Sequence, residues 1–519
     1  MVAGAVTLRV RWLGNVHYRD ALALQRGLFA SDGQYLLLLE HPHVYTLGVR
    51  ADPAHVLVDP ASVGAELVRA DRGGDVTYHG PGQLVGYPIL DVAMGPDAIP
   101  AYVHTVEQLV IDTLADLGLP GAARLSGYPG VWVDERKICA IGVRVSRGRS
   151  MHGFALNVDS DLSYFSHIVP CGIADKAVTS LAAEDVNASM AEVVDAVVAR
   201  AAALWGPQIE RQDAVGGRVS HIATHTTANA LQIGPRKPEW LRTKAHMGPE
   251  FLELKRTMRT LDLVTVCEEA GCPNIFECWG DGTATFMING ERCTRACGFC
   301  LVDTRRPDAP PDPLEPEHVA EAVARMGLAH AVITAVARDD LPDGGAAQFA
   351  ACVDAVRRRC PGTSVELLIP DCKGVPAALD SVFAARPDVL NHNLETVLRL
   401  QRAVRPSASY ARSLAVLARA KDAGLVTKSG IILGMGEAED EVVGAMADLR
   451  SVGVDILTLG QYLRPSAAHL PVARWWTPDE FGDLRIAGEA MGFAHVQASP
   501  LTRSSYHARE AATAASAGA

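Results

Sequence analysis

Six of the eleven cysteines in this 519-residue chain fall between Cys267 and Cys300, in two sets of three. The second set, CTRACGFC, puts Cys293, Cys297 and Cys300 at C-x3-C-x2-C spacing. One short loop can then present three thiolates to one face of an iron–sulfur cubane. Three ligands for four irons leave one iron open to chelate a small molecule, and Phe299 inside the loop adds apolar cover. Zinc sites also gather cysteines, but they favour closely spaced pairs separated by a longer gap, which two triplets do not match well. A disulfide framework fits less well still. The cysteine count is odd and the chain shows no secretory leader, so the thiols are expected to be reduced and cytosolic, serving as ligands or nucleophiles.

The C-x3-C-x2-C loop resembles that of the radical S-adenosylmethionine superfamily, whose cluster donates one electron to cleave that cofactor. The first set, CEEAGCPNIFECW, places Cys267, Cys272 and Cys278 at C-x4-C-x5-C and is followed by GTATFMINGERC. Together the two sets look like lipoyl synthase. That resemblance implies two 4Fe-4S clusters. One, on Cys293, Cys297 and Cys300, binds S-adenosylmethionine through its amino and carboxylate groups. The other, on Cys267, Cys272 and Cys278, is an auxiliary cluster consumed as the sulfur source, with a serine of a C-terminal RSSY as fourth ligand. Here that motif is Arg503, Ser504, Ser505 and Tyr506. Ser505, which directly precedes the tyrosine, is the preferred ligand, with Ser504 the alternative.

These cysteines need a scaffold. After them the chain alternates strand-like segments (AVITAV, SVELLIP, VLNHNLE, KSGIILGMG, DILTLGQYL, AHVQAS) with amphipathic stretches such as EPEHVAEAVARMG. That order predicts a parallel (β/α) barrel with ligands at the C-terminal ends of the strands. The segments HNLETV and KSGIILGMGE match lipoyl synthase at such ends, so the resemblance offers Asn393, Glu395 and the turn from Gly434 to Glu437 as cofactor contacts. Glu395 could instead simply pair with an arginine. Cys372 and Thr502 depart from the family pattern and are not expected to touch a ligand. Cys352 and Cys360 fall on one amphipathic helix as packing residues.

Upstream, YLLLLE at 35–40 reads as a buried strand, and Val106, Leu109, Val110, Thr113, Leu114 and Leu117 as the core face of a helix. RADRGGDVTYHGPGQLVGYPI is glycine-rich enough to let backbone approach a ligand. VWVDERKICAIGVRV and HGFALNV read as strands. With HIVPCGI, these segments closely resemble octanoyl-acyl carrier protein:protein octanoyltransferase, a cousin of biotin and lipoate protein ligases. The resemblance implies that Cys171 takes the acyl chain as a thioester and that Lys137 lowers the thiol pKa, which agrees with thiolate chemistry beside an ammonium group. It also implies an acyl site along Arg72, Gly73, Gly74, Asp75, Val76, Thr77, Tyr78 and His79, then Ala140, Ile141 and Gly142, then Gly153, Phe154 and Ala155. His79, His152 and His167 remain as alternative partners for a Cys–His dyad, and Cys139 reads as core.

With 48% hydrophobic and 21% charged residues, the chain is expected to be globular, soluble and more than one domain. It has no apolar run of membrane-spanning length, so it is expected to be cytoplasmic without a membrane. A net charge of −12 disfavours a nucleic-acid surface. The expected organisation is an N-terminal α+β domain of biotin/lipoate protein ligase type (1–205), a linker (206–235), and a C-terminal partial parallel (β/α) barrel of radical S-adenosylmethionine type (236–519). The resemblances imply a fusion enzyme that octanoylates lipoyl domains and then inserts sulfur at C6 and C8. Its implied partners are octanoyl-acyl carrier protein, the lipoyl domains of 2-oxoacid dehydrogenases, the glycine cleavage H protein, and an electron donor such as ferredoxin or flavodoxin. The alternatives are an ATP-dependent lipoate ligase in the first domain, or a metal-stapled module that only binds lipoyl domains.

Overall fold

The computed structural model describes residues 7–170, 176–206, 208–214, 237–241, 256, 260, 264–265, 274 and 283–517. The chain divides into two compact units, Met1–Gly216 and Gly217–Ala519.

In the first unit the strands are β1 (Leu8–Asn15), β2 (Gln34–Glu40), β3 (Val44–Leu47), β4 (Glu66–Arg69), β5 (Val76–His79), β6 (Gln83–Ile89), β7 (Ala122–Leu125), β8 (Tyr128–Val133), β9 (Arg136–Ser146), β10 (Arg149–Asn157), β11 (Ala177–Val178) and β12 (Ile209–Asp213). The helices are α1 (Tyr18–Phe29), α2 (Ala98–Asp116) and α3 (Met190–Trp205). A mixed sheet runs β12-β1-β2-β6-β10-β9-β8-β7, with β11 paired to β9, and β4-β3-β5 form a smaller sheet. Strand β2 reads as a continuous apolar run because both of its faces are covered. Leu36 and Leu38 join the core formed with Val106, Leu109 and Val110 of α2 and Val193 and Val197 of α3, while Tyr35, Leu37 and Leu39 are equally buried. The β9–β10 hairpin turns at Arg147 and Gly148, both at positive φ (53° and 75°), which suits the twist of a tight hairpin.

The segment expected to be linker begins instead with β12, which pairs in parallel with β1. Its sequence, IERQD, hid it. An edge strand leaves one face to water, and this one spends its charge on ion pairs, with Glu210 meeting Arg11 at 2.6 Å and Arg9 at 3.1 Å. Most of the remainder of 206–235 lies outside the described residues.

The second unit holds β13 (Val264–Thr265), β14 (Thr283–Ile288), β15 (His330–Ala335), β16 (Ser364–Leu368), β17 (Val389–Asn391), β18 (Thr427–Leu433), β19 (Ile456–Gln461) and β20 (His495–Ala498). Its helices include α4 (Glu315–Met326), α5 (Ala346–Arg359), α6 (Pro376–Ala384), α7 (Gln401–Val404), α8 (Tyr410–Asp422), α9 (Glu439–Ser451), α10 (Pro478–Ala490) and α11 (Ala508–Ala517). Strands β14 to β20 are parallel neighbours in chain order, with β13 antiparallel on β14, which makes an open, partial (β/α) barrel. Val319 and Val323 of α4 and Phe349, Val353 and Val356 of α5 pack on Phe286, Ile288, Ile333 and Leu367. Inside the barrel, fully buried Lys428 and Glu366 pair at 3.0 Å, and Asn391 Nδ2 donates to the same carboxylate at 2.8 Å. Removing Glu366 would leave the Lys428 ammonium buried without its counter-charge, which costs several kcal/mol. Among the described residues no helix is long and apolar enough to cross a membrane.

Candidate active sites

In the first unit a cleft of about 40 Å³ opens over the β6, β9 and β10 strands, roofed by the loop before β5. Its floor is a cross-strand glycine pair, Gly142 of β9 opposite Gly153 of β10. A Cβ at Gly142 would stand 3.0 Å from the Gly73 carbonyl and 3.2 Å from Arg72 Cδ, and one at Gly153 would collide with the Gly86 carbonyl. Both glycines therefore let neighbouring backbone approach closely, Gly73 of the roof at Gly142 and Gly86 of β6 at Gly153. Arg72 is buried beside it, donating from Nη2 to the Thr46 carbonyl at 2.6 Å and to Thr46 Oγ1 at 2.8 Å.

Of the residues expected along the acyl site, Arg72, Gly73, Gly74, Asp75, Thr77, His79, Ala140, Ile141, Gly142, Gly153, Phe154 and Ala155 line this cleft. Val76 and Tyr78 do not. Strand alternation sends them to the opposite face of β5, into a cluster with Tyr45, Leu47 and Phe165. Lys137 lies three residues before Ala140 on β9, buried, with Nζ 4.7 Å from the centre of the Trp132 ring. It does not line the cleft itself, but Val178 of β11 pairs directly with it. Cys171, seven positions before Val178, lies outside the described residues.

Among the alternative histidines, His79 Nδ1 donates to Gln83 Oε1 at 2.8 Å, and burial holds its pKa well below the usual imidazole range. His152 Nε2 donates to Asp71 Oδ1 at 2.8 Å. That hydrogen bond, with Arg144 and Arg26 nearby, holds the Asp71 carboxyl well below the usual carboxylate range. His167 is engaged with the Tyr45 hydroxyl at 2.8 Å. Cys139 is core, its thiol pKa pushed up by burial. Sequence reading did not single out Tyr18 and Tyr87, which come from α1 and β6 to line the same cleft.

The second unit carries a much larger cavity, about 440 Å³, at the C-terminal ends of its strands. It is lined by Cys293, Cys297, Cys300, Phe299, Asn393, Glu395, Ser504 and Ser505, among others. The cysteine loop is pinned from several sides. The Cys293 amide donates to the Asp303 carbonyl at 2.8 Å, Gly298 N to the Val404 carbonyl at 2.8 Å, and His469 Nε2 to the Cys300 carbonyl at 2.9 Å. Between the cysteines, Arg295 forks onto Asp339 at 2.7 and 2.8 Å and onto fully buried Asp371 at 2.6 Å. Burial pushes the Cys300 thiol up to about 11 and raises Cys297 as well.

Glu395, at φ 69°, has its pKa raised by burial, while Arg405 and the Asn393 amide oppose the rise. Arg405 donates to the carbonyls of Asn393 and Leu394 at 3.1 and 3.0 Å, a role that sequence reading did not assign. Asn393 Nδ2 donates to Ser504 Oγ at 2.7 Å, whereas its buried Oδ1 has no protein partner among the described residues.

Gly434 and Glu437, expected as cofactor contacts, do not line the cavity. The Glu437 carboxylate is occupied by its own turn, accepting from the Gly434 amide, from Met435 N at 3.0 Å and from Trp476 Nε1 at 2.9 Å. Thr502, not expected near a ligand, does line the cavity, whereas Cys372 is buried away from it. Cys267, Cys272 and Cys278 lie outside the described residues. Asn274, between the last two, is described and donates to the Leu501 carbonyl at 2.7 Å, four residues before Ser505.

Comparison with known proteins covers both units. Residues 17–202 match the lipoyl protein ligase A/B catalytic domain, residues 206–272 the N-terminal domain of lipoyl synthase, and residues 287–449 the radical SAM superfamily. A lipoyl synthase of Rubrobacter xylanophilus is 58% identical over 276 residues, covering 53% of this chain and 86% of the relative. One from Mycobacterium tuberculosis (strain H37Rv) is 57% identical over 280 residues, covering 54% and 90%. Among solved structures, a bipartite lipoate protein ligase from Thermoplasma acidophilum is similar at 22% identity with a TM-score of 0.35, covering 40% of this chain and 86% of the other.

Proposed function

Because the chain belongs to the lipoyl synthase family through its second half and carries a lipoyl protein ligase A/B catalytic domain in its first, we propose that it builds protein-bound lipoyl groups in two steps. The first unit moves an octanoyl chain from acyl carrier protein to a lysine of a lipoyl domain. The second inserts sulfur at C6 and C8 of that chain. The carriers served are the lipoyl domains of 2-oxoacid dehydrogenases and the glycine cleavage H protein, with ferredoxin or flavodoxin as electron donor. One observation carries the reading: three cysteines of a C-x3-C-x2-C loop share one cavity with Asn393, Glu395 and both serines of RSSY, at the strand ends of a partial barrel.

In the transfer step the Cys171 thiolate attacks the octanoyl thioester carbonyl, a sulfur–acyl bond forms at Cys171, and the carrier thiolate leaves. The lysine amine of the lipoyl domain then attacks the same carbonyl, and Cys171 departs as thiolate. Lys137, as the ammonium, favours the Cys171 thiolate and gives its proton to the departing carrier thiolate; the neutral amine so formed then takes the proton released by the attacking lysine. The buried setting of Lys137 and its pairing with Val178, soon after Cys171 in sequence, support this assignment. The octanoyl chain would lie along the cleft lined by Arg72, Gly142 and Gly153, which must widen to take it.

In the second unit, Cys293, Cys297 and Cys300 would hold one 4Fe-4S cluster, with S-adenosylmethionine beside Asn393 and Glu395. Cys267, Cys272, Cys278 and Ser505 would hold the auxiliary cluster. The donor set fits: three thiols leave one iron free, and the unpartnered Asn393 Oδ1 with the Glu395 carboxylate offers acceptors for an ammonium group. When bound, these groups supply one-electron cleavage of S-adenosylmethionine and the sulfur atoms to be inserted. Phe299, Leu301 and Ile431 line the same cavity and give it an apolar wall.

The test is direct. Protein incubated with octanoyl-acyl carrier protein and apo lipoyl domain should add an octanoyl mass to that domain without ATP. S-adenosylmethionine and a reductant should then convert the mass to that of a lipoyl group. Transfer that requires ATP would replace the thioester route with an adenylate one. No sulfur gain with fully loaded protein would sink the second step.

A further inference from the structure

The loop that carries Cys293, Cys297 and Cys300 follows β14, and one side chain ties it to the loops after the next two strands. Arg295 is buried, forked onto Asp339 after β15 and bonded through Nη2 to Asp371 after β16. Both strand-end loops are built to receive it. Asp371 is fully buried, and the turn behind it runs through Cys372, Lys373 and Gly374 at φ 44°, 54° and 71°. Two successive non-glycine residues hold left-handed backbone only where surrounding contacts impose it. Here Lys373 N donates to Asp371 Oδ1 at 3.0 Å, and Lys373 Nζ donates to the Asp339 carbonyl. On the other side, Asp339 N donates to Thr294 Oγ1 at 2.9 Å, and Thr294 N donates to the Ala337 carbonyl at 2.9 Å. The residue anchored in this way touches a thiol directly, because the Arg295 backbone amide donates to Cys293 Sγ at 3.4 Å.

We propose that Arg295 is a positioning residue for the cluster on Cys293, Cys297 and Cys300: its ion pairs to Asp339 and Asp371 keep its amide on the Cys293 sulfur, which fixes that ligand for iron and sets the cluster's reduction potential. This rests on assigning a 4Fe-4S cluster to those three cysteines, all of which line the large cavity. A guanidinium suits the task, because its planar fork meets two carboxylates at once in fixed geometry and an ammonium does not. An N–H on a ligating sulfur draws charge from it and stabilises the reduced cluster, so losing that contact lowers the potential. Outer contacts of this kind commonly change metal affinity by about 10- to 100-fold. With only three thiolates on the cluster, a weakened hold at Cys293 has no fourth thiolate to offset it.

The experiment uses the full chain, anaerobically reconstituted, with three variants: Arg295→Lys, Asp371→Ala and the pair. The cluster is followed by the electron paramagnetic resonance signal that changes when S-adenosylmethionine is added, since a cluster with an open iron is the one that binds it. In each single variant a chelator should remove that signal at least tenfold faster than in wild type. The double variant should be no worse than the worse single one, because both changes act through one guanidinium. Arg295→Lys keeps the charge but not the fork, and it should lower the midpoint potential of the same signal. An ion pair that only stabilises the fold would leave that potential where it is. Wild-type chelation rates in both single variants, losses that add in the double variant, or an unchanged potential in Arg295→Lys would overturn the assignment. If Arg295→Lys does not fold, Asp371→Ala decides alone, since Arg295 keeps its pair with Asp339 there. A wild-type chain with no signal that answers to S-adenosylmethionine would instead refute the cluster on Cys293, Cys297 and Cys300, and the positioning role with it.

Discussion

A buried imidazole with both nitrogens engaged resists protonation. His41 Nδ1 donates to the Val16 carbonyl at 2.6 Å and Nε2 accepts from the Tyr87 hydroxyl at 2.7 Å, and burial lowers its pKa to about 4. In the unfolded chain the same group titrates near 6.5. Between those values the unfolded state holds a proton that the folded state refuses, so stability is complete above about pH 6.5 and falls as pH drops toward 4. At about 1.4 kcal/mol per pKa unit, His41 withdraws about 3 kcal/mol over that window. Urea melts of the full chain at pH 7 and pH 4.5 should show at least this loss, and His41→Gln should remove the His41 share of it while buried His79 and His392 keep theirs. The ligand residues give sharper expectations. Replacing Cys293, Cys297 and Cys300 by Ala should halve the iron and abolish cleavage of S-adenosylmethionine. Replacing Cys267, Cys272 and Cys278 should halve the iron, keep cleavage and stop sulfur insertion. Full iron in either triple variant contradicts the assignment. Ser505→Cys should hold the auxiliary cluster but slow sulfur release, and the same behaviour from Ser504→Cys alone would reverse the choice of serine. In the first unit, Cys171→Ala should eliminate a covalent octanoyl adduct in intact-mass spectra, and Lys137→Ala should slow its appearance. An adduct that persists without Cys171 rules the thioester out.

At the scale of elements, the cleft floor makes the clearest prediction. Gly142→Ala puts a methyl group 3.0 Å from the Gly73 carbonyl, closer than ordinary packing, so the roof must shift. Octanoyl transfer should fall at least tenfold while sulfur insertion on a pre-octanoylated domain is unchanged. Loss of both activities would point to misfolding instead. Much at this scale was legible in the sequence. The core face of α2 repeats at 3.6, β2 is a bare apolar run, and the strand–helix alternation of the second unit is regular. Three features were not. Strand β12 is polar because it is an edge, Val76 and Tyr78 were carried with their neighbours although strand alternation sends them to the other face, and Glu437 looked available only because a turn that consumes its own carboxylate leaves no mark in a motif. Long-range partners were equally hidden. Nothing in CTRAC shows that Arg295 reaches Asp339 and Asp371, which lie 44 and 76 residues away, or that Asn393 reaches Ser504, 111 residues away.

For the molecule as a whole, two activities on one chain raise the question of transfer between them. A tether holds a released product at millimolar effective concentration near the second site, provided the tether can span the distance. In a competition with unlabelled lipoyl domain and octanoyl-carrier against an excess of labelled, pre-octanoylated domain, the unlabelled one should be sulfurated preferentially. Cutting the chain near Gly216 and Gly217 should remove the preference. Sulfuration in proportion to concentration, before and after the cut, would mean that fusion gives equal dosage and nothing more.

The pairing of β12 with β1 also dictates when the first unit can be finished during synthesis. Leu8 meets Ile209 and Trp12 meets Asp213, so the strand made earliest must wait about 200 residues for its outer neighbour, a highly non-local closure. While the ribosome is still building the first unit, β1 exposes an unpaired parallel edge, a state prone to mispairing with other chains. A truncation that ends at residue 205 would make this transient state permanent. The smallest soluble form of the first unit should therefore extend through Asp213, and a fragment stopping at 205 should aggregate on expression where the longer one does not.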